Sequence, residues 1–292
     1  MNIGKLGVWA MTESRTAADA AAFARRVEQW GYGALWIPEA VGRNALVHAS
    51  WLLANTQSLV IATGIAKIYA RDAQAMAAAQ RTLAEQSGNR FLLGIGVSHA
   101  PLVEKLRGHV YAKPVETMRN YLDAMDKATY IAPAPGETPP TVLAALGPKM
   151  LELARDRTAG AHPYLTTPKH TAEARAILGP GKWLCPEQKV MLETDPVKAR
   201  RVGRGFVSRY LALPNYRNNL LRLGYTEAEL NDGGSDRVVD AIIAWGDESA
   251  IRARIQEHWD AGADHVCIQA MASVEGELPV TDERLLEMLA PG

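Results

Sequence analysis

Few residues in this chain could do chemistry, and most of them follow apolar runs. Pro38-Glu39-Ala40-Val41-Gly42-Arg43-Asn44 follows one such run and offers a single carboxylate, Glu39. Glu39 reads either as a group facing a binding mouth or as the partner of Arg43 or another cation. Thr63-Gly64-Ile65-Ala66 closes a second run. Gly64 there lets a flat ring lie against the backbone, or simply bends a tight strand end. Gly94-Ile95-Gly96-Val97-Ser98-His99-Ala100-Pro101 is not the GxGxxG dinucleotide fingerprint, because His99 stands where the third glycine belongs. Its glycines could still bring backbone N–H groups close to an anionic or polyol tail. His99 is either an acid–base group or a satisfied structural histidine. Ala144-Ala145-Leu146-Gly147-Pro148-Lys149 runs directly into a helical pattern. Pro148 suits a first helical turn, and the free N–H groups there suit a phosphate. His162-Pro163-Tyr164-Leu165-Thr166-Thr167-Pro168 adds another polar cluster. No nucleophile elbow, recognisable pair of glycosidase carboxylates or P-loop is present. The seven histidines form no HxxxH pair and the two cysteines no CxxC, so no metal site is expected.

The elements that must position these residues repeat. A helical pattern ends, a glycine follows, and an apolar run begins within a few residues. Residues 16–31 lead through Gly31 to Gly33-Ala34-Leu35-Trp36-Ile37, and 73–87 lead through Gly88 to the run at Phe91. Residues 148–157 lead to Gly160-Ala161-His162, and 248–261 lead through Gly262 to His265-Val266-Cys267-Ile268-Gln269. Glycine accepts the left-handed conformation that ends a helix. Strands apolar on both faces are those of a covered parallel sheet. With further runs at 3–9, 58–66, 140–145 and 184–192, the pattern predicts eight strands. That count favours one α/β (β/α)8 TIM barrel over an open doubly wound sheet. Two stretches break the rhythm. Residues 132–140 are proline-rich and read as an exposed linker. Residues 195–247 separate strands seven and eight by more than one helix needs. They read as an insertion that caps the barrel mouth, or as a surface excursion without a role. Its Tyr210, Tyr216 and Trp245 suggest a pocket for an apolar or aromatic compound.

Composition narrows the function. The chain has 292 residues, 48% of them hydrophobic, and zero formal net charge. Nucleic acid and anionic membranes both favour a basic surplus, so neither is expected as a partner. No apolar run reaches a membrane span and the N-terminus does not read as a signal peptide, so a cytoplasmic protein is expected. Cys185 and Cys267 then read as buried free thiols.

Leu35-Trp36-Ile37-Pro38-Glu39-Ala40, Ala62-Thr63-Gly64-Ile65, Phe91 to His99, Leu143 to Pro148 and Gly160 to Tyr164 together resemble the luciferase-like monooxygenase superfamily. The likeness runs nearly end to end and is nearest the actinobacterial branch that uses coenzyme F420, a 5-deazaflavin. It implies hydride transfer at C5 of the deazaflavin, to or from a small organic substrate. The alternatives are an FMN-dependent monooxygenase of the same superfamily and a flavin-binding barrel without catalysis. The resemblance also implies a non-prolyl cis peptide at Gly64–Ile65 behind the ring. Gly94 and Gly96 would line the ribityl chain, with Ser98 beside them in the cofactor site, and Ala145, Leu146 and Gly147 would hold the phosphate. Glu39 would sit near the ring. Relatives place a histidine after that acidic residue, whereas this chain has Ala40, so His99 or His162 would supply a proton if one is needed. Arg43, Lys67, Arg71, Arg107 and Lys149 could meet the cofactor's anionic tail. A homodimer is the implied assembly.

Overall fold

The computed structural model describes residues 1–275 and 280–291. Strands and helices alternate in it. The strands are β1 (Leu6–Trp9), β2 (Ala34–Ile37), β3 (Val60–Thr63) with its continuation β4 (Ala66–Lys67), β5 (Phe91–Gly96), β6 (Thr141–Leu143) and β7 (Gly160–Ala161). They continue through β8 (Trp183–Leu184), β9 (Glu187–Leu192), β10 (Ile243–Gly246) and β11 (Val266–Ala270). Neighbours pair in parallel from β1 through β2, β3, β5, β6 and β7 to β8. On the other side β1 pairs with β11, and β11 with β9.

β8 and β9 are halves of one stave, interrupted at Cys185-Pro186, where proline has no N–H to give. The lower half pairs with β7 and the upper half with β11, so the ring closes with the eight staves that the sequence predicts. β10 was not expected as a strand. It pairs in parallel with the upper half of that stave, Ile243 opposite Lys189, where the short β7 no longer reaches.

Helices lie between the staves: α1 (Ala17–Gln29), α2 (Ala45–Ala54), α3 (Ala73–Gln86), α4 (Pro114–Asp126), α5 (Pro148–Arg157) and α6 (Pro168–Leu178). The insertion folds as α7 (Pro196–Leu211), α8 (Pro214–Arg222) and α9 (Asp236–Ile242), and α10 (Glu248–Asp260) and α11 (Glu283–Met288) complete the chain. Polar side chains start several of them. Thr16 accepts from the Asp19 N–H, Asp72 from Ala75 and Asp247 from Ala250.

Alternation along each strand divides the core. Leu35 and Ile37 join Phe23 and Leu52 between ring and helices, while Ala34 and Trp36 join Trp9, Val60, Ala62 and Leu92 inside the ring. The insertion has its own core around Phe206, Val207, Leu220, Val238 and Ile242. Gly31, Gly88 and Gly262 end their helices with positive φ, as read from the sequence. Gly160 does not: it lies within β7, where a Cβ would collide with the Trp183 carbonyl. The fourth glycine of the pattern is therefore a close-packing residue and not a helix stop. Both cysteines are buried and free.

Candidate functional site

A cavity of about 780 Å3 opens at the C-terminal ends of the staves. Its floor is largely backbone. Gly64 and Ile65 follow β3 and line it, and the peptide bond between them is cis. A Cβ on Gly64 would lie 2.6 Å from Trp9 Nε1 and 3.0 Å from His162 Nε2. Trp9 Nε1 donates to the Gly64 carbonyl at 3.1 Å and fixes this corner. Gly96, at the end of β5, also lines the cavity, and a Cβ there would press on Ile65 at 2.7 Å and Ala144 at 3.0 Å. Ala145, Leu146 and Gly147 lead from β6 into α5 and form the adjoining wall. Gly147 is the N-cap of α5 without a side-chain cap, and a Cβ there would meet nothing within 4 Å. It leaves an open cradle at the positive end of a helix.

Gly94 is placed differently from the other glycines. It does not line the cavity. Its place in β5 excludes a side chain because one would collide with the Thr63 carbonyl. Thr63 Oγ1 bonds Gly94 on both its N–H and its carbonyl, which binds β3 to β5. Gly94 is thus a packing residue beneath the ribityl position that the resemblance implied for it.

Glu39 lines the cavity, but its carboxylate is occupied. It pairs with Arg71, whose Nη1 donates to Oε2 at 3.1 Å, and it accepts from the Lys67 N–H at 2.8 Å. The cation is Arg71 and not Arg43, whose guanidinium binds the carbonyls of Thr12 and Arg15. Lys67 donates from Nζ to the Ala40 carbonyl at 3.0 Å, and burial, with Arg107 nearby, lowers its pKa. Of the five cations proposed for an anionic tail, Arg43, Lys67 and Arg71 are therefore engaged internally. Arg107 and Lys149 form no ion pair among the described residues, and Lys149 lines the cavity.

The two candidate histidines differ. His99 lines the cavity with its ring 5.6 Å from that of Tyr216. Burial lowers its pKa, opposed by the Asn215 side chain. His162 is 1% exposed and stacks on Trp36 at 4.3 Å. Its Nδ1 lies 2.7 Å from the Cys185 carbonyl, which can only accept, so Nδ1 carries the proton. Nε2 is then a lone pair with no partner among the described residues. Burial takes the ring's pKa down to about 4, so it is neutral at pH 7. Ser98 lines the cavity with φ +60° and a second partnerless polar atom, its Oγ.

The insertion forms the roof. Tyr210 from α7 and Leu213, Asn215 and Tyr216 at the start of α8 line the cavity opposite Trp9, Met11 and Tyr164. The rings of Tyr164, Tyr210 and Tyr216 lie 5.2 to 6.3 Å apart. Below Tyr164 the ammonium of Lys189 sits 3.9 Å from the ring centroid. It contacts both carboxylate oxygens of Glu187 at 2.9 Å, and neither side chain is more than 1% exposed. Burial favours the neutral form of each, and the partner's charge opposes it. Trp245, expected in this pocket, is not there. It donates to Asp240 Oδ1 at 2.8 Å and lies under Arg200. Trp9, Met11, Tyr111 and Leu213 are lining residues that the sequence reading missed. Only Trp9 carried a signal, as the last residue of a strand.

These residues fit a flat, phosphorylated cofactor. Gly64 and Gly96 clear a planar surface, Gly147 leaves a cradle open, and Ser98 Oγ and His162 Nε2 lack partners among the described residues. No group of three or more metal-ligating side chains occurs among the described residues, and no described helix is long and apolar enough to cross a membrane.

Comparison with known proteins agrees with this geometry. A Mycobacterium tuberculosis protein, named provisionally as a coenzyme F420-dependent oxidoreductase, is 24% identical over 94% of this chain and 96% of its own. An F420-dependent secondary alcohol dehydrogenase, solved with an F420–acetone adduct, superposes with a TM-score of 0.78 at 14% identity, covering 99% of this chain and 98% of the other. The oxygenating constituent of the Pseudomonas putida 3,6-diketocamphane monooxygenase, solved with FMN, gives 0.70 at 14% identity over 99% and 97%. Identities this low establish the shared fold alone. The family model for luciferase-like monooxygenases matches residues 3–179, more than half of the sequence, and the chain belongs to that family.

Proposed function

We propose that this enzyme is a coenzyme F420-dependent oxidoreductase that moves a hydride between the deazaflavin and a small organic substrate. The observation that carries this reading is the backbone-built floor, where Gly64 and Ile65 stand beside Gly96 and the open start of α5 at Gly147. Family membership supports a flavin-type cofactor, and the relative named for F420 favours the deazaflavin. When bound, the cofactor supplies a two-electron hydride donor or acceptor.

The chain's own residues do the rest. Gly64 and Ile65 support the ring, Gly96 and Ser98 flank the polyol chain, and Ala145, Leu146 and Gly147 hold the phosphate. Lys149 and Arg107 meet the anionic tail. Glu39 acts through Arg71 and the Lys67 amide, which makes it a positioning residue. With Ala40 in place of a histidine, His99 and His162 are the imidazoles available to accept or return a proton.

An FMN-dependent monooxygenase is the second reading, favoured by the likeness to the FMN-containing structure. A homodimer is the assembly proposed. Fluorescence titration of the protein with F420 and, separately, FMN tests the cofactor. Saturable micromolar F420 binding with much weaker FMN binding is expected. Tight FMN binding would move the protein to the second reading. Binding of neither would favour a barrel without catalysis.

A further inference from the structure

Few N–H groups are free where β6 runs into α5. Pro148 has none. Those of Met150 and Leu151 return to the Gly147 carbonyl at 3.1 Å. Those of Gly147 and Lys149 donate to no described residue. The Gly147 N–H belongs to the peptide that it shares with Leu146, and two donors meet at the other end of that peptide. The Leu146 carbonyl accepts from His170 Nε2 at 2.9 Å and from Arg222 Nη2 at 2.8 Å. A carbonyl can only accept, so His170 carries its proton on Nε2. His170 stands in the first turn of α6 and is 0% exposed. Its Nδ1 has no partner among the described residues, so the bond to Leu146 is the one contact that satisfies the ring. Burial takes its pKa down to about 4, so the ring is neutral at pH 7.

Arg222 ends α8 in the insertion and is exposed, and its Nη2 also donates to Asn219 Oδ1. Lys169, next to His170, donates from Nζ to the Leu223 carbonyl at 2.9 Å and ties the end of α8 to α6. Leu146 and Gly147 line the cavity, whereas neither His170 nor Arg222 does.

We infer that His170, with Arg222 as the second donor, aims the Gly147 N–H at the phosphate of the cofactor without touching the cofactor itself. The Leu146–Gly147 bond is trans, and in a trans peptide the C=O and N–H point in opposite directions. Donors from α6 and α8 on the oxygen therefore turn the N–H away from both helices, towards the side that lines the cavity. They also draw electron density to that oxygen, which strengthens the N–H as a donor. Glycine leaves the plane free to rotate, so the hold has to come from the carbonyl end. His170 is neutral, and the Arg222 charge is exposed and screened by solvent. The effect is one of direction, and both are positioning residues. Through this one oxygen, α6 and the insertion become parts of the cofactor site. The inference rests on the cofactor reading above, and binding tests it without turnover.

The probes are F420 and the deazariboflavin that remains when F420 loses its phosphate and everything beyond it. Both carry the same ring and polyol chain, and fluorescence titration follows both. The wild type is expected to bind F420 at least about tenfold more tightly than the truncated form. His170→Phe removes the buried donor and should cut that ratio about fivefold, with affinity for the truncated form unchanged. Arg222→Met should cut it in the same way, and because its side chain is exposed it serves if His170→Phe fails to fold. His170→Gln, which keeps an N–H donor, should restore the ratio to within about twofold. A role in packing alone would weaken both ligands equally and would not be rescued by glutamine.

An unchanged ratio in either folded variant would overturn the inference, as would equal weakening of the two ligands. Equal wild-type affinity for both ligands would overturn it too, while leaving the deazaflavin reading in place. If FMN binds and F420 does not, the cofactor reading falls, and the same ratio measured with FMN and riboflavin decides this inference. Binding of none of the four overturns both.

Discussion

The floor and the roof of the cavity are made in different ways. The floor is backbone from the ends of β3, β5 and β6, shaped by the absence of side chains at Gly64, Gly96 and Gly147. The roof is side chain, with three tyrosines converging from β7's end and the insertion and resting on a buried ion pair. A backbone surface accepts a ligand by shape and by N–H groups that cannot be reassigned. A side-chain surface recognises by donor and acceptor pattern, which single substitutions can invert. On this account the floor holds the cofactor common to a family and the roof selects the individual substrate.

The largest effect should come at the joint between the two. Glu187→Ala leaves Lys189 buried beneath Tyr164 without its partner, and should cost about 3–5 kcal/mol of stability in denaturant unfolding. A loss near zero would mean that the pair does not support the roof.

Acid comes next. Burial takes His48, His162, His170 and His265 down to about 4 and His258 to about 3, from 6.5. In that window the unfolded chain binds more protons than the folded one, so stability falls as pH drops. The melting temperature should decline from pH 6.5 towards pH 4. A flat profile would show these rings to be solvated.

Gly147→Val should separate floor from fold. Its Cβ meets nothing within 4 Å and φ is −83°, so the melting temperature should stay put. The filled cradle should weaken cofactor binding at least about tenfold, or ~1.4 kcal/mol. Trp245→Phe should do least. It loses the hydrogen bond to Asp240, about 1 kcal/mol, outside the cavity, and both cofactor and substrate affinities should hold.

The same contrast explains what the sequence could reveal. Glycines at strand ends mark a backbone-built floor, so Gly64, Gly96 and Gly147 stood out by position. Gly94 and Gly160 look identical in sequence but serve strand packing, because the colliding carbonyls of Thr63 and Trp183 belong to neighbouring staves. The roof was less legible. Tyr210 and Tyr216 carry no motif, and Trp245 looked equally suitable until β10 turned it towards Asp240. Glu39 illustrates a third limit. A carboxylate at a strand end is visible in sequence, but its partner Arg71, 32 residues on, is set by the fold.

The most direct test of the central claim is a paired F420 titration of the wild-type protein and Gly147→Val, with melting temperatures measured on the same samples. The account predicts micromolar binding to the wild type, at least about tenfold weaker binding to the variant, and unchanged melting temperatures. Equal affinity for both proteins would contradict it, because the backbone cradle at the start of α5 would then take no part in holding the cofactor.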